Sequence, residues 1–170
     1  MFKRHRLLAA AAAVAASATV ALTGLSAASA SASPARPAAS GTEHLQLMST
    51  SATSSTAPII IYGVVTGHGV DHEGSGNTDH VTFANGSFKL VHSAGKGTQH
   101  FNSKTCLLQI NQHGTYTISG GAGNYKGISG HGKYQFSILA VGKKVKGKCS
   151  QKAAPVAFQQ IIQASGPVTL

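Results

Sequence analysis

His68, Asp71, His72, Glu73, Asp79 and His80 form the only dense set of side chains in this 170-residue chain that could hold a metal or move a proton. On a helix His68 and His72 would share a face and could ligate zinc. Gly67, Gly69, Gly74 and Gly76 break any helix there, so the segment reads as a solvated polar loop, with His68, Asp71 and His72 as weak metal candidates. Asp79 reads as a turn cap ahead of a strand. Glu43, Asp71, Glu73 and Asp79 are the whole acidic complement, and none follows residue 79. A paired-carboxylate glycosidase would have to draw both acids from that one region and aim them at a cleft. No Gly-x-Ser-x-Gly elbow is present, which argues against a serine hydrolase. Gly127 to Tyr134 approaches a phosphate loop, but Tyr134 stands where Ser or Thr would meet Mg²⁺ and no helix follows. No catalytic residue is assigned, no cofactor is expected, and the balance leans away from an enzyme.

Charge is lopsided in the opposite sense. Lys and Arg number 14 against four acids, a formal net charge of +10 with neutral His. Lys144, Lys146 and Lys148 alternate, so an extended chain would line their ammoniums along one edge at a repeat of roughly 7 Å, a candidate polyanion strip. The plainer reading is edge protection and solubility, since lysines on a sheet edge discourage pairing. Base-stacking aromatics are missing from the strip, so no specific nucleic-acid partner is expected.

The elements that must position these residues are strands. With charged residues at 11%, 20 glycines and no apolar period of 3.6, long solvated helices are excluded. Ile59 to Val65 is apolar on both faces, as in a strand covered on two sides. His80–Phe83 and Phe88–His92 flank Asn85-Gly86, a strong two-residue hairpin signal. Further strands are expected at Cys106–Asn111, Thr115–Ser119, Lys133–Val141 and Val156–Ala164. About eight strands must curl or split to hide their edges, and a closed barrel does so. An immunoglobulin-like sandwich is disfavoured in a chain without Trp. The fold class expected is therefore all-β, a small antiparallel β-barrel. Phe83, Phe88, Tyr116, Tyr134, Phe136 and Phe158 are its candidate lumen, and a small barrel is filled with side chains by default.

Ahead of the barrel, Lys3, Arg4 and Arg6, an Ala-rich apolar run to Leu25 and the small residues 28–33 read as a secretory signal peptide over 1–32, cut before Ser31 or Ser33. A retained membrane anchor is the alternative; after processing, no stable membrane insertion is expected. Residues 33–57, rich in Ser, Thr, Ala and Pro, read as a flexible segment, with weak alternation at His44–Met48 as a possible first strand, and 58–170 as the barrel domain. Export to a secreted, extracellular location favours oxidised sulfur, so Cys106 and Cys149 are expected to bridge; two buried thiols or an intermolecular bond are the alternatives.

Gly114 to Gly132, with its run of glycines around Asn124-Tyr125-Lys126-Gly127, resembles the Gly-Thr-Gly-x-Tyr-x-Gly-x-x-Gly segment of the allene oxide cyclase-like and dirigent-like barrels. Asp79–Phe88, Phe101–Cys106 and Phe158–Leu170 add to a likeness with small secreted actinobacterial members of that superfamily, covering about Pro58 to Leu170. The resemblance implies a barrel that holds an apolar molecule, either as a non-catalytic binding or scaffold module or as a cofactor-free cyclase, isomerase or dirigent-like protein. The partners expected are thus an apolar small molecule or an anionic cell-surface polymer, with oligomeric state left open.

Overall fold

A computed structural model describes residues 38–150 and 152–170. The signal peptide expected over 1–32 lies outside the described residues, as does the start of the 33–57 segment. Among the described residues the regular elements are all strands: β1 (Ser40–Ser49), β2 (Thr56–Tyr62), β3 (Gly67–Glu73), β4 (Thr78–Phe83), β5 (Gly86–Asn102), β6 (Leu107–Gly123), β7 (Ser129–Val141), β8 (Lys144–Val145), β9 (Lys148–Cys149) and β10 (Ala157–Thr169). Eight close into an antiparallel barrel in the order β1-β10-β7-β6-β5-β4-β3-β2, while β8 and β9 form a separate two-stranded hairpin.

The barrel begins at Ser40 and not at Pro58, which corrects the expected flexible segment. Glu43, Leu45 and Leu47 alternate inward on β1, and this strand pairs with both β2 and β10, closing the ring. The weak alternation at His44–Met48 is its middle. A short Ser/Thr-rich turn over 50–55 then leads into β2.

Side-chain direction follows the period of two. Odd positions on β1 to β4 and even positions on β6, β7 and β10 face the lumen, giving a core of Leu45, Ile59, Ile61, Val81, Phe88 and Ile118. Two register shifts between β5 and β6, at Ser87/Lys89 and Ala94/Gly97, are bulges that bend this long hairpin.

Strand lengths are unequal, and the inequality shapes the barrel. β2, β3 and β4 have 7, 7 and 6 residues, whereas β5 and β6 have 17 each and β7 and β10 have 13. One wall therefore stands above the other rim as a four-stranded flange. Cys106, in the turn between β5 and β6, is joined to Cys149 on β9 with Cα atoms 5.3 Å apart, so the expected bridge pins the flange tip to the β8–β9 hairpin.

The glycine-rich segment closes the opposite end. The β6–β7 turn tucks Tyr125 and Ile128 into the lumen, where Tyr125 meets Phe83 at 4.7 Å and Phe88 at 5.6 Å between ring centroids. Gly121 makes this possible, because a Cβ there would run into the Tyr125 carbonyl. The Asn85-Gly86 hairpin joins β4 and β5 as expected, but Phe83 pairs with Gly86, so Ala84 and Asn85 form its turn.

Candidate functional site

The stopper at one end leaves the other half of the lumen hollow. A cavity of about 340 Å³ opens beside the flange. Its apolar wall includes Leu45, Leu47, Leu90, Phe136 and Ile162. Its polar wall includes Asp71 and Glu73 on β3, Asp79 on β4, His92 on β5 and Tyr116 on β6, with hydroxyl and amide side chains from residues 49–56, Asn77, Gln112 and Gln160 around them. The expectation of a filled lumen therefore holds at the Tyr125 end and fails at the flange end.

Asp71, Glu73 and Asp79 converge because of register. Glu73 pairs directly with Asp79, and Asp71 pairs with Val81, two positions along β4 from Asp79, so all three carboxylates share the inner face. Asp71 is 8% exposed, and its Oδ1 has no hydrogen-bond partner. Burial, then the charges of Asp79 and Glu73, pushes its carboxyl up to about 7. Asp79 is also raised, chiefly by burial; the His92 ring, with Nε2 3.4 Å from Oδ2, opposes that shift. His92 in turn stands edge-on to Tyr134, ring centroids 6.3 Å apart.

Deeper in the lumen, Tyr116 is 4% exposed with its hydroxyl unpartnered, and burial pushes the phenol up to about 12, with the Glu43 charge adding to the shift. Glu43 is buried too. Its Oε2 accepts the Val65 N–H at 3.0 Å after the chain bends at Gly63, φ 136°, while Oε1 has no partner. Desolvation outweighs that hydrogen bond and raises the Glu43 carboxyl. All four acids of the chain thus sit on the lumen face, while the lysines from Lys89 to Lys152 are exposed.

This arrangement corrects the polar-loop expectation for residues 67–80. Gly67–Glu73 is a strand, so His68 and His72 point outward and Asp71 inward, and the weak metal set of His68, Asp71 and His72 is split between two faces. His72 Nε2 instead meets the Thr82 hydroxyl at 3.1 Å on the outer surface. Among the described residues, no group of three His, Cys, Asp or Glu side chains is arranged to hold a metal ion. Asp79 is a lumen residue of β4 and not simply a turn cap.

Of the lumen candidates, Phe88 and Tyr116 are buried, Phe83 and Tyr134 pack against the core, and Phe136 lines the cavity. Phe158 stands apart: it pairs with Ala140 on the flange, beyond Gln160, the last β10 residue bonded to β1. The lysine strip is likewise corrected. Lys146 and Gly147 take φ values of 50° and 78°, a tight turn that folds Lys144 and Lys148 onto the two arms of the β8–β9 hairpin, so the three lysines do not line one edge.

The acids went unassigned in the sequence because β3 was read as a loop. Within β4, the alternation of Asp79 with Val81 and Phe83 is the available signal. Comparison of the chain with protein-family models, with curated proteins and with solved structures gives no match.

Proposed function

We propose that the chain is an exported binding protein that carries a small, largely apolar molecule in the open half of its barrel. The observation that carries this reading is the cavity of about 340 Å³, a size within the range of small-molecule sites, with an apolar wall facing a few convergent polar groups. The disulfide and the leader-like composition of residues 1–32 support export. The closed eight-stranded barrel and the glycine-punctuated β6–β7 connection support kinship with the allene oxide cyclase-like and dirigent-like barrels.

A carboxyl buried beside an apolar wall also favours a second reading, acid–base catalysis on an apolar substrate without a cofactor, with Asp71 as the proton donor. Small molecules that co-purify with the protein, identified by mass spectrometry, separate the two: a carrier releases its ligand unchanged, whereas an enzyme converts it on incubation. Ala164 faces the cavity, and Ala164→Trp is expected to fill it. Saturable binding of the neutral probe N-phenyl-1-naphthylamine should fall at least about tenfold in this variant, the equivalent of about 1.4 kcal/mol. A wild-type protein that carries nothing and does not bind the probe overturns the reading.

A further inference from the structure

We propose that the ligand of this cavity is an organic cation, an apolar body bearing a protonated amine, held by Asp71 and Asp79 with the Tyr116 hydroxyl as a further hydrogen-bond partner. The inference rests on the binding reading above and names the ligand class.

The argument starts from what the polar wall lacks. Asp71 and Tyr116 are each more than nine-tenths buried, line the cavity and leave a polar atom unpartnered. Asp79 Oδ1 is a third buried acceptor without a donor. Buried polar atoms are paired in the great majority of cases, so three orphans around one hollow point to a group that supplies donors. His92 is already engaged with Asp79, and the hydroxyl and amide side chains elsewhere in the lining, such as Thr56, Asn77, Gln112 and Tyr134, leave Asp71 Oδ1 and Asp79 Oδ1 without a donor. An ammonium carries three donors and no acceptor, which matches that deficit; a carboxylate ligand would add acceptors to acceptors.

Charge leads to the same class. The groups facing Asp71 are Glu73 on its own strand, Asp79 on β4, His92 on β5, Tyr116 on β6 and Tyr134 on β7, and no lysine lines the cavity. Three carboxylates on one inner face repel each other, and a cation between them relieves the repulsion and allows Asp71 to ionise. The lysines lie outside, so His92, held at Asp79, is the one basic side chain lining the cavity among the described residues. A metal ion is the weaker occupant, because no group of three His, Cys, Asp or Glu side chains among the described residues is arranged to hold one. The apolar wall of Leu47, Leu90, Phe136 and Ile162 requires the cation to carry a hydrophobic body.

The test uses three probes of one shape: 2-(1-naphthyl)ethylamine, 2-(1-naphthyl)ethanol and 3-(1-naphthyl)propanoate. The chain has no Trp, so naphthalene fluorescence is read against a weak protein background. With the oxidised protein at pH 8, the amine should bind at least about tenfold more tightly than the alcohol, the scale of a charge-assisted hydrogen bond, and the propanoate most weakly. Asp71→Asn and Asp79→Asn should each erase most of the amine's advantage over the alcohol. Amine binding near pH 7 should also release a proton, seen as a heat that varies with the buffer's ionisation enthalpy. If the alcohol or propanoate binds as well as the amine, the cation inference fails and the binding reading stands. If none of the three binds, and N-phenyl-1-naphthylamine does not bind either, both fail.

Discussion

Replacing Asp71 by Asn should make the protein more stable at alkaline pH and leave it nearly unchanged in acid. In the folded protein the Asp71 carboxyl is held at about 7, against an ordinary value of 3.8, by burial and by the charges of Asp79 and Glu73. The folded state therefore keeps a proton that the unfolded chain gives up, and stability falls as pH rises between those two values. Below about pH 3.8 both states are protonated and the group has no effect; above about 7 the loss is complete. The rise from 3.8 to about 7 corresponds to about 4 kcal/mol, and partial access of water through the cavity mouth brings the expected effect to about 2–4 kcal/mol. Asn keeps the size of the side chain and removes the charge. Thermal unfolding of the oxidised protein followed by circular dichroism should show the variant ahead by about 6–20 °C at pH 8, at about 3–5 °C per kcal/mol for a domain of this size. The gap should close towards pH 3.5. An offset equal at both pH values, or a variant less stable at pH 8, would refute the account of a carboxyl charged at a cost.

Two other perturbations follow from the architecture. Cys106→Ser with Cys149→Ser unties the flange tip across a separation of 43 residues and should lower unfolding stability by up to about 4 kcal/mol in denaturant titrations; the same loss should appear on reducing the wild type, and no change in either would show that the tip is held by other contacts. Gly121→Ala should dislodge Tyr125 and Ile128 from the closed end, because its Cβ would meet the Tyr125 carbonyl and lie 2.7 Å from Ile128 Cγ2. A loss of about 1–3 kcal/mol is expected, with tyrosine near-ultraviolet circular dichroism reporting the displaced ring, and an unchanged spectrum counting against the stopper.

The barrel class was legible because its evidence is local. β-branched and aromatic runs such as Ile59–Ile61 and Phe136–Ile138 sit between glycines, and no stretch carries a helical period. The Asn85-Gly86 turn gave its hairpin, although pairing placed the turn one residue earlier. β3 was not legible, and the reason is physical. Its inner positions are Gly67, Gly69, Asp71 and Glu73, while its outer ones are His68, Val70 and His72, so hydrophobicity does not mark the buried side. A Cβ at Gly69 would run into the Thr82 carbonyl and then the Phe83 ring, both on the neighbouring strand. Further along, the acids face a hollow that exists only because the long wall of β5, β6, β7 and β10 outruns the short one.

Residue types and their local order thus determined by themselves that this chain would fold as strands, that the strands needed closing, and that two cysteines were available to pin the result. Only the closed sheet decided which side of each strand is inside. Inward and outward differ by one residue of register, and that register is fixed by hydrogen bonds between strands distant in sequence, such as β1 with β10. Closure set Asp71, Glu73 and Asp79 on one inner wall with His92 and Tyr116, an outcome that depends on neighbours no local window contains, whereas the lysine run folds back on itself locally through the Lys146-Gly147 turn.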